Sequence, residues 1–188
     1  RTGSGKTGAF LLPLFELVDP DLDSTQALIL CPTRELARQI HEEFMRMNGS
    51  ESPIRAALVY GGVRFKKQIS ELTEGAHVVI GTPGRILDHL YRKSFELNHL
   101  QALIFEEADE MLSMGFLPAM KEMKRFIPRK RKTFMFSATM PPRVRSLADD
   151  FLYNPGFLSL SVGQVSVDAI GAVSEKLWLR CQFNHWRP

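Results

Sequence analysis

The feature that most constrains the fold is a regular alternation of short apolar runs with longer amphipathic stretches. The apolar runs have nearly continuous hydrophobic character, which is typical of strands covered on both faces in a parallel sheet. They predict six strands: Ala27–Cys31, Ala56–Tyr60, Val78–Gly81, Ala102–Phe105, Thr133–Phe136 and Phe157–Ser161.

The stretches between these runs carry apolar residues at spacings of three and four, which is the period of an amphipathic helix. They predict helices over Ala9–Leu17, Glu35–Met47, Phe65–Leu72, Arg85–Tyr91, Leu117–Phe126 and Arg143–Phe151. Strands and helices in alternation favour an α/β fold, a doubly wound, mostly parallel sheet with helices on both faces. In such folds ligands bind at the carboxyl ends of the strands.

Composition sets wide limits on the partners of this chain. Its 188 residues, 44% of them hydrophobic, are enough for one α/β domain with a core of its own and a short extension. The sequence has no apolar run of about 18 residues, so we expect no membrane-spanning segment. A net charge of +3 permits a nucleic-acid partner without requiring one. Neither the two cysteines nor the five histidines show metal-ligand spacing, so we expect no zinc site.

The segment Thr2–Thr7 has the sequence of the second half of a phosphate-binding P-loop and leads into a predicted helix. Glycines 3 and 5 let backbone N–H groups face phosphates, and a helix N-terminus favours negative charge. Lys6 would reach the β and γ phosphates, and the Thr7 hydroxyl would ligate Mg²⁺. The alternative is a flexible Gly/Ser-rich terminus.

A second candidate lies at the end of the fourth predicted strand, where Glu106-Glu107-Ala108-Asp109 follows Leu103-Ile104-Phe105. One carboxylate at such a strand end can hold the Mg²⁺ shell, and a neighbouring one can orient the attacking water. The alternative is a solvated acidic turn that begins the next helix.

Six motifs in this order resemble the DEAD-box RNA helicase family, and the similarity covers nearly the whole chain. They are Thr2-Gly3-Ser4-Gly5-Lys6-Thr7 (motif I), Pro32-Thr33-Arg34-Glu35-Leu36-Ala37 (motif Ia), Gly61-Gly62 (GG), Thr82-Pro83-Gly84-Arg85 (motif Ib), Glu106–Asp109 (the acidic motif) and Ser137-Ala138-Thr139 (motif III). The resemblance implies a RecA-like P-loop domain that binds ATP and Mg²⁺, with Thr2–Thr7 on the nucleotide and Thr7 and Glu106 on the metal ion.

The resemblance also implies a surface for RNA and a coupling device. Contacts to the sugar-phosphate backbone would come from Pro32, Thr33, Arg34, Gly61, Gly62, Thr82, Pro83, Gly84 and Arg85. Contacts to the sugar-phosphate backbone do not distinguish one base from another, so we expect little sequence specificity. The alternatives are a capping Thr33 and a turn at Thr82-Pro83-Gly84, each at the start of a helix. Glu107 would activate water, and Lys6, Asp109, Ser137 and Thr139 would complete the catalytic set. Ser137 and Thr139 would hydrogen-bond Asp109, although Ser137 could instead cap the helix after Pro142.

One residue departs from the family pattern, because Glu106 stands where the family has Asp. The longer side chain keeps the charge but displaces a carboxylate in a site where Mg²⁺ demands near-ideal geometry. A catalytically weakened RNA-binding clamp or regulatory module is therefore the alternative to an active helicase.

The domain boundaries are predicted from composition and from the resemblance. Residues 1–162 would form the first RecA-like domain, incomplete at its N-terminus. Residues 163–172, rich in Gly, Ser, Val and Asp, would form a linker, and residues 173–188 would begin a second RecA-like domain. RNA and that second domain are the expected partners, and the expected location is intracellular.

Overall fold

The computed structural model describes residues 6–157, with only the backbone of Lys6. Twelve elements are formed within this range: α1 (Lys6–Leu17), β1 (Ala27–Leu30), α2 (Arg34–Asn48), β2 (Ala56–Val59), α3 (Phe65–Thr73), β3 (Val78–Gly81), α4 (Pro83–Tyr91), β4 (Ala102–Phe105), α5 (Ala108–Ser113), α6 (Leu117–Met123), β5 (Lys132–Met135) and α7 (Pro142–Phe151). None of these helices is both long and apolar enough to cross a lipid bilayer.

The five strands form one parallel sheet in the order β2-β3-β1-β4-β5. The central strand β1 lies between β3 and β4, with Ile29 opposite Ile80 on one side and Ile104 on the other. Every residue of β1, β3 and β4 is buried. The predicted doubly wound α/β fold is confirmed, and the sheet is entirely parallel.

Side chains that alternate along each strand divide the core into two layers, because successive residues of a strand face opposite sides of a sheet. Ile29, Ile80 and Ile104 pack with apolar residues of α1 and α2 on one face. Leu28, Val79 and Leu103 pack on the other face with residues of α3 to α7. A sheet covered in this way accounts for the continuous apolar runs in the sequence.

The element ends correct several predicted boundaries. β1 and β2 each end one residue early, and β5 lies one residue earlier than predicted. Helices α2, α4 and α7 begin one or two residues earlier, and for α4 and α7 the first residue is a proline, which suits that position. α6 ends at Met123, not Phe126, because the next backbone bonds join residues three apart, as from Phe126 N–H to the Met123 carbonyl.

Two further corrections concern the ends of the prediction. α5 is not among the predicted helices, and only its first two residues, Ala108 and Asp109, belong to the acidic motif. Of the sixth predicted strand, only Phe157 lies among the described residues, where it is exposed and outside any strand. The linker at 163–172 and the start of a second domain at 173–188 lie outside the described residues.

Candidate active site and nucleic-acid interface

The loops that follow the five strands all emerge at one edge of the sheet, because the strands are parallel. Each loop carries one of the sequence motifs: Pro32–Arg34 after β1, Gly61–Gly62 after β2, Thr82–Arg85 after β3, Glu106–Asp109 after β4 and Ser137–Thr139 after β5. Motif I leads into α1, whose Phe10 ring lies 5.4 Å from the ring of Phe136, the residue before Ser137. Thr2–Gly5 and the side chain of Lys6 lie outside the described residues, so their nucleotide contacts stay predictions.

The acidic motif begins inside the sheet. The Glu106 N–H donates to the carbonyl of Leu30 at 2.9 Å, and the residue is only 5% exposed. Burial raises the pKa of the neighbouring Cys31 thiol, and the charges of Glu106 and Glu107 raise it further. The alternative of a solvated acidic turn is therefore wrong for Glu106, which is buried beside the end of the central strand.

Glu107 adopts a left-handed backbone conformation, with φ 56° and ψ 57°, and precedes α5. Such a conformation is unusual for a residue other than glycine and concentrates at functional sites. The Ala108 N–H donates to the Phe136 carbonyl at 3.0 Å, and this bond ties the turn to the end of β5. The fold thus holds Glu107 in an unfavourable conformation at the strand end where the family places a carboxylate.

Motif III forms a network with Asp109. One carboxylate oxygen, Asp109 Oδ2, accepts hydrogen bonds from the Thr139 N–H at 2.9 Å and from the Thr139 hydroxyl at 2.7 Å. The Asp109 N–H donates to Ser137 Oγ at 3.2 Å, and that hydroxyl donates to the Thr139 carbonyl at 2.7 Å. Burial raises the pKa of Asp109, but the bonds from Thr139 and Ser137 outweigh it, so that the pKa is lowered.

The contact expected between the acidic motif and motif III is therefore present, while its coupling role stays a prediction. Ser137 does not cap the helix after Pro142, because α7 begins at Pro142 with Pro141 as its N-cap.

Among the residues predicted to hold RNA, Arg34 and Arg85 both contact the segment that follows β2, and the surface around these two arginines is the candidate RNA surface. The guanidinium of Arg34 lies against the GG motif, where a Cβ built on Gly62 would come within 2.9 Å of Arg34 Cζ. Gly62 also has a φ of +86°, a backbone conformation that favours glycine, whereas the Arg34 side chain could move away from a Cβ at this position. Among residues 6–157, neither Arg34 nor Arg85 forms an ion pair with a carboxylate.

The other predicted RNA residues differ in exposure. Thr33 is half-buried and caps α2, its hydroxyl oxygen accepting from the Leu36 N–H at 3.1 Å. Capping leaves the hydroxyl proton available to a phosphate, so the two alternatives are compatible. Thr82 forms no such cap and is buried. Pro32 and Pro83 are also buried, whereas Gly61 and Gly84 are half-buried.

Sequence reasoning missed one cluster beside this surface, formed by Phe65, Gln68 and His89. The side chains of Gln68 and His89 are buried and lie within hydrogen-bond distance of each other. The sequence does carry a sign of this cluster, because Gln68 and His89 are polar residues at positions of their helices where the pattern predicts apolar ones.

Comparison with known proteins decides the family. The sequence model of the DEAD/DEAH box helicase family matches residues 1–147. The chain belongs to the DEAD/DEAH box helicase family.

Relatives within this helicase family agree in sequence and in fold. An ATP-dependent RNA helicase CshA of Listeria monocytogenes is 40% identical over 88% of this chain. A DEAD box protein of the hyperthermophile Methanococcus jannaschii is 41% identical and superposes with a TM-score of 0.77 over 82% of this chain and 42% of its own. A variant of S. cerevisiae Dbp5, solved with Nup159, Gle1, IP6 and ADP, superposes with a TM-score of 0.76 over 89% of this chain and 43% of its own.

This chain is shorter than those helicases. It spans 32% of the Listeria protein and 36% of a DEAD-box ATP-dependent RNA helicase CshA of Geobacillus kaustophilus, to which it is 39% identical. The comparisons therefore show the family and the RecA-like fold of this chain, which corresponds to about a third of the length of these helicases.

Proposed function

We propose that this chain is the first RecA-like domain of an ATP-dependent RNA helicase, which binds ATP-Mg²⁺ and the RNA backbone and couples hydrolysis to duplex unwinding or RNP remodelling. The observation that carries the proposal is the Asp109–Ser137–Thr139 network. It joins the loops after β4 and β5 at the edge where Arg34 and Arg85 also lie, so the residues proposed for nucleotide chemistry and those proposed for RNA contacts share one edge of the sheet.

The donor set fits a magnesium ion that arrives with the nucleotide. Among residues 6–157, no group of three or more His, Cys, Asp or Glu side chains is arranged to hold a metal ion alone. Mg²⁺ is usually held by one or two carboxylates together with substrate phosphates and water. The Thr7 hydroxyl and the Glu106 carboxylate would supply the protein ligands. The bound ion would neutralise charge on the phosphates.

The remaining roles belong to the residues of the chain. The backbone N–H groups of Thr2–Gly5 and the Lys6 ammonium would hold the phosphates. Glu107 would orient the attacking water, and the network around Asp109 would link a change at the nucleotide to the RNA surface.

The protein would contact only the sugar-phosphate backbone of the RNA and not its bases. Arg34 and Arg85 each offer a forked set of donors to a phosphate, and the glycines offer bare N–H groups. A second RecA-like domain would supply arginine fingers, which are worth about 10³–10⁵ in rate in P-loop enzymes. We also propose an intracellular location, where ATP and RNA are both found.

The nucleotide half of the proposal is tested with Lys6→Ala in the full-length protein. This variant should lose measurable binding of an ATP analogue while it keeps affinity for single-stranded RNA. Unchanged affinity for the analogue would contradict the proposed phosphate site.

The RNA half is tested with Arg34→Ala. Affinity for single-stranded RNA should fall by a similar factor for different base sequences, and the salt dependence should become shallower by about one unit of charge. Arg46→Ala is the matched control, since Arg46 lies at the other end of α2 and pairs with Glu43. A loss that depends on base sequence, or an equal loss in the control, would contradict the backbone contact.

A further inference from the structure

A single aromatic ring on α3 is surrounded by Arg85 and His89 of α4 and by Arg92, which follows the last residue of α4. The ring of Phe65, which follows the GG motif by three residues, lies 4.3 Å from Arg85 Cζ and 4.5 Å from Arg92 Cζ. The His89 ring lies 4.4 Å from it, centroid to centroid. Positions 85, 89 and 92 share one face of a helix. The start of α3, just after the GG motif, therefore meets the helix α4, which contains Arg85 of motif Ib, at Phe65.

Arg85 differs from Arg92 in its position relative to the motifs. It lies at the start of α4, at the edge of the sheet that carries the motif loops, whereas Arg92 follows the last residue of the helix. Arg85 Nη1 also donates to the carbonyl of Val63, between the GG motif and Phe65, at 3.4 Å. Arg85 is thus held by the ring and by the backbone of the neighbouring loop together.

His89, whose ring lies against Phe65, is held in turn by the buried side chain of Gln68. Gln68 Nε2 donates to the Tyr60 carbonyl at 2.8 Å, so Gln68 Oε1 is the atom that faces His89 Nε2 at 3.0 Å. An amide oxygen only accepts, and His89 Nε2 therefore carries the hydrogen. Burial lowers the pKa of His89 to about 4, and the charge of Arg85 contributes, so the imidazole is neutral near pH 7.

We infer that Phe65 is a positioning residue for RNA binding, holding the Arg85 guanidinium in place by its aromatic face and joining the GG motif to motif Ib. The inference rests on the proposed contact between Arg85 and an RNA phosphate. A free arginine side chain loses rotamer freedom when it binds a phosphate. An arginine already stacked on Phe65 and bonded to Val63 has lost much of that freedom beforehand, which favours binding.

The test removes the aromatic face while it keeps an apolar side chain. In the full-length protein, Phe65→Leu should weaken binding of a single-stranded RNA about three- to tenfold, in line with the strength of cation–π contacts. Phe65→Tyr keeps the aromatic face and should stay within about twofold of the unchanged protein. Phe126→Leu is the matched control, because Phe126 is a half-buried ring on the far side of α4 that contacts Tyr91 instead of Arg85.

A double-mutant cycle separates positioning from a general loss of structure. If Phe65 acts through Arg85, adding Phe65→Leu to Arg85→Ala should produce no further loss of RNA affinity beyond about twofold. Affinity for an ATP analogue should be the same in all four proteins of the cycle. A further loss of the full size in the Arg85→Ala background, or an equal loss in Phe126→Leu, would overturn the inference.

The same cycle distinguishes the inference from the function on which it rests. If Arg85→Ala weakens RNA binding and Phe65→Leu does not, the RNA contact stands and the positioning role is wrong. If Arg85→Ala leaves RNA affinity unchanged, the proposed phosphate contact of Arg85 is itself wrong.

Discussion

Acidification from pH 7 to pH 5 should destabilise this domain through His89, and His89→Gln should remove that part of the effect. His89 is fully buried and hydrogen-bonded to Gln68, and its pKa is lowered to about 4 by burial and by Arg85 and Arg92, against the opposing charge of Asp88. In the unfolded chain a histidine has a pKa of about 6.5. The unfolded state therefore takes up a proton over a range of pH in which the folded state does not.

The sign and size follow from linkage between protonation and folding. A lowered pKa gives stability that is complete above about pH 6.5 and is lost as the pH falls toward 4. At pH 5 the loss from His89 alone is about 2 kcal/mol, and below pH 4 it reaches about 3 kcal/mol. The part of the loss that occurs between pH 7 and pH 5 lies above the ordinary pKa values of carboxylates, so it can be measured separately from their titration.

Urea unfolding of the chain at pH 7 and at pH 5, followed by far-ultraviolet circular dichroism, measures the effect. Glutamine places an amide near the position of His89 Nε2 and does not titrate. The difference in unfolding free energy between the two pH values should shrink by about 2 kcal/mol in this variant. His99→Gln, which removes an exposed histidine, should leave that difference unchanged. Equal pH dependence in the unchanged protein and in His89→Gln would refute the reasoning.

Two further predictions concern the acidic motif. In the full-length protein, Glu106→Asp should raise RNA-stimulated ATP turnover several-fold or more with little change in ATP affinity, since misplacement by about 1 Å can cost about 100-fold in rate. Equal steady-state turnover at saturating RNA and Mg²⁺ would mean that the site accommodates Glu106. Thr139→Val removes one hydrogen bond to Asp109 and should raise the pKa of that carboxyl, measured by NMR titration, and cost about 1 kcal/mol of stability at pH 7. Thr139→Ser keeps the hydroxyl and serves as control, and an unchanged pKa in Thr139→Val would contradict the network.

The sheet was predictable because its pattern is local. β3 and β4 match their predicted bounds, since continuous apolar residues mark strands buried on both faces. The ends of β5 and the existence of α5 were not predictable in the same way. They depend on bonds between distant segments, such as that from Ala108 N–H to the Phe136 carbonyl. Periodicity carries no information about such bonds.

The site, too, contains features that were predicted and features that depend on contacts between distant segments. The resemblance to the helicase family predicted that Asp109 would meet Ser137 and Thr139, and the parallel pairing of β4 with β5 brings their two loops to one edge of the sheet. The cluster of Phe65, Gln68 and His89 was missed, because its meaning depends on how α3 packs against α4. The left-handed conformation of Glu107 was missed as well, since a glutamate in sequence shows no sign of it.

The left-handed backbone conformation of Glu107 makes stability and turnover favour different residues at position 107. A left-handed conformation is readily adopted by Gly, less so by Asn, and costs other residues about 1 kcal/mol or more. Selection for stability alone would favour Gly at position 107, whereas selection for turnover would retain the carboxylate. On the proposed role of Glu107 in orienting the attacking water, a glycine at position 107 would relieve the backbone and remove the water-orienting carboxylate at the same time.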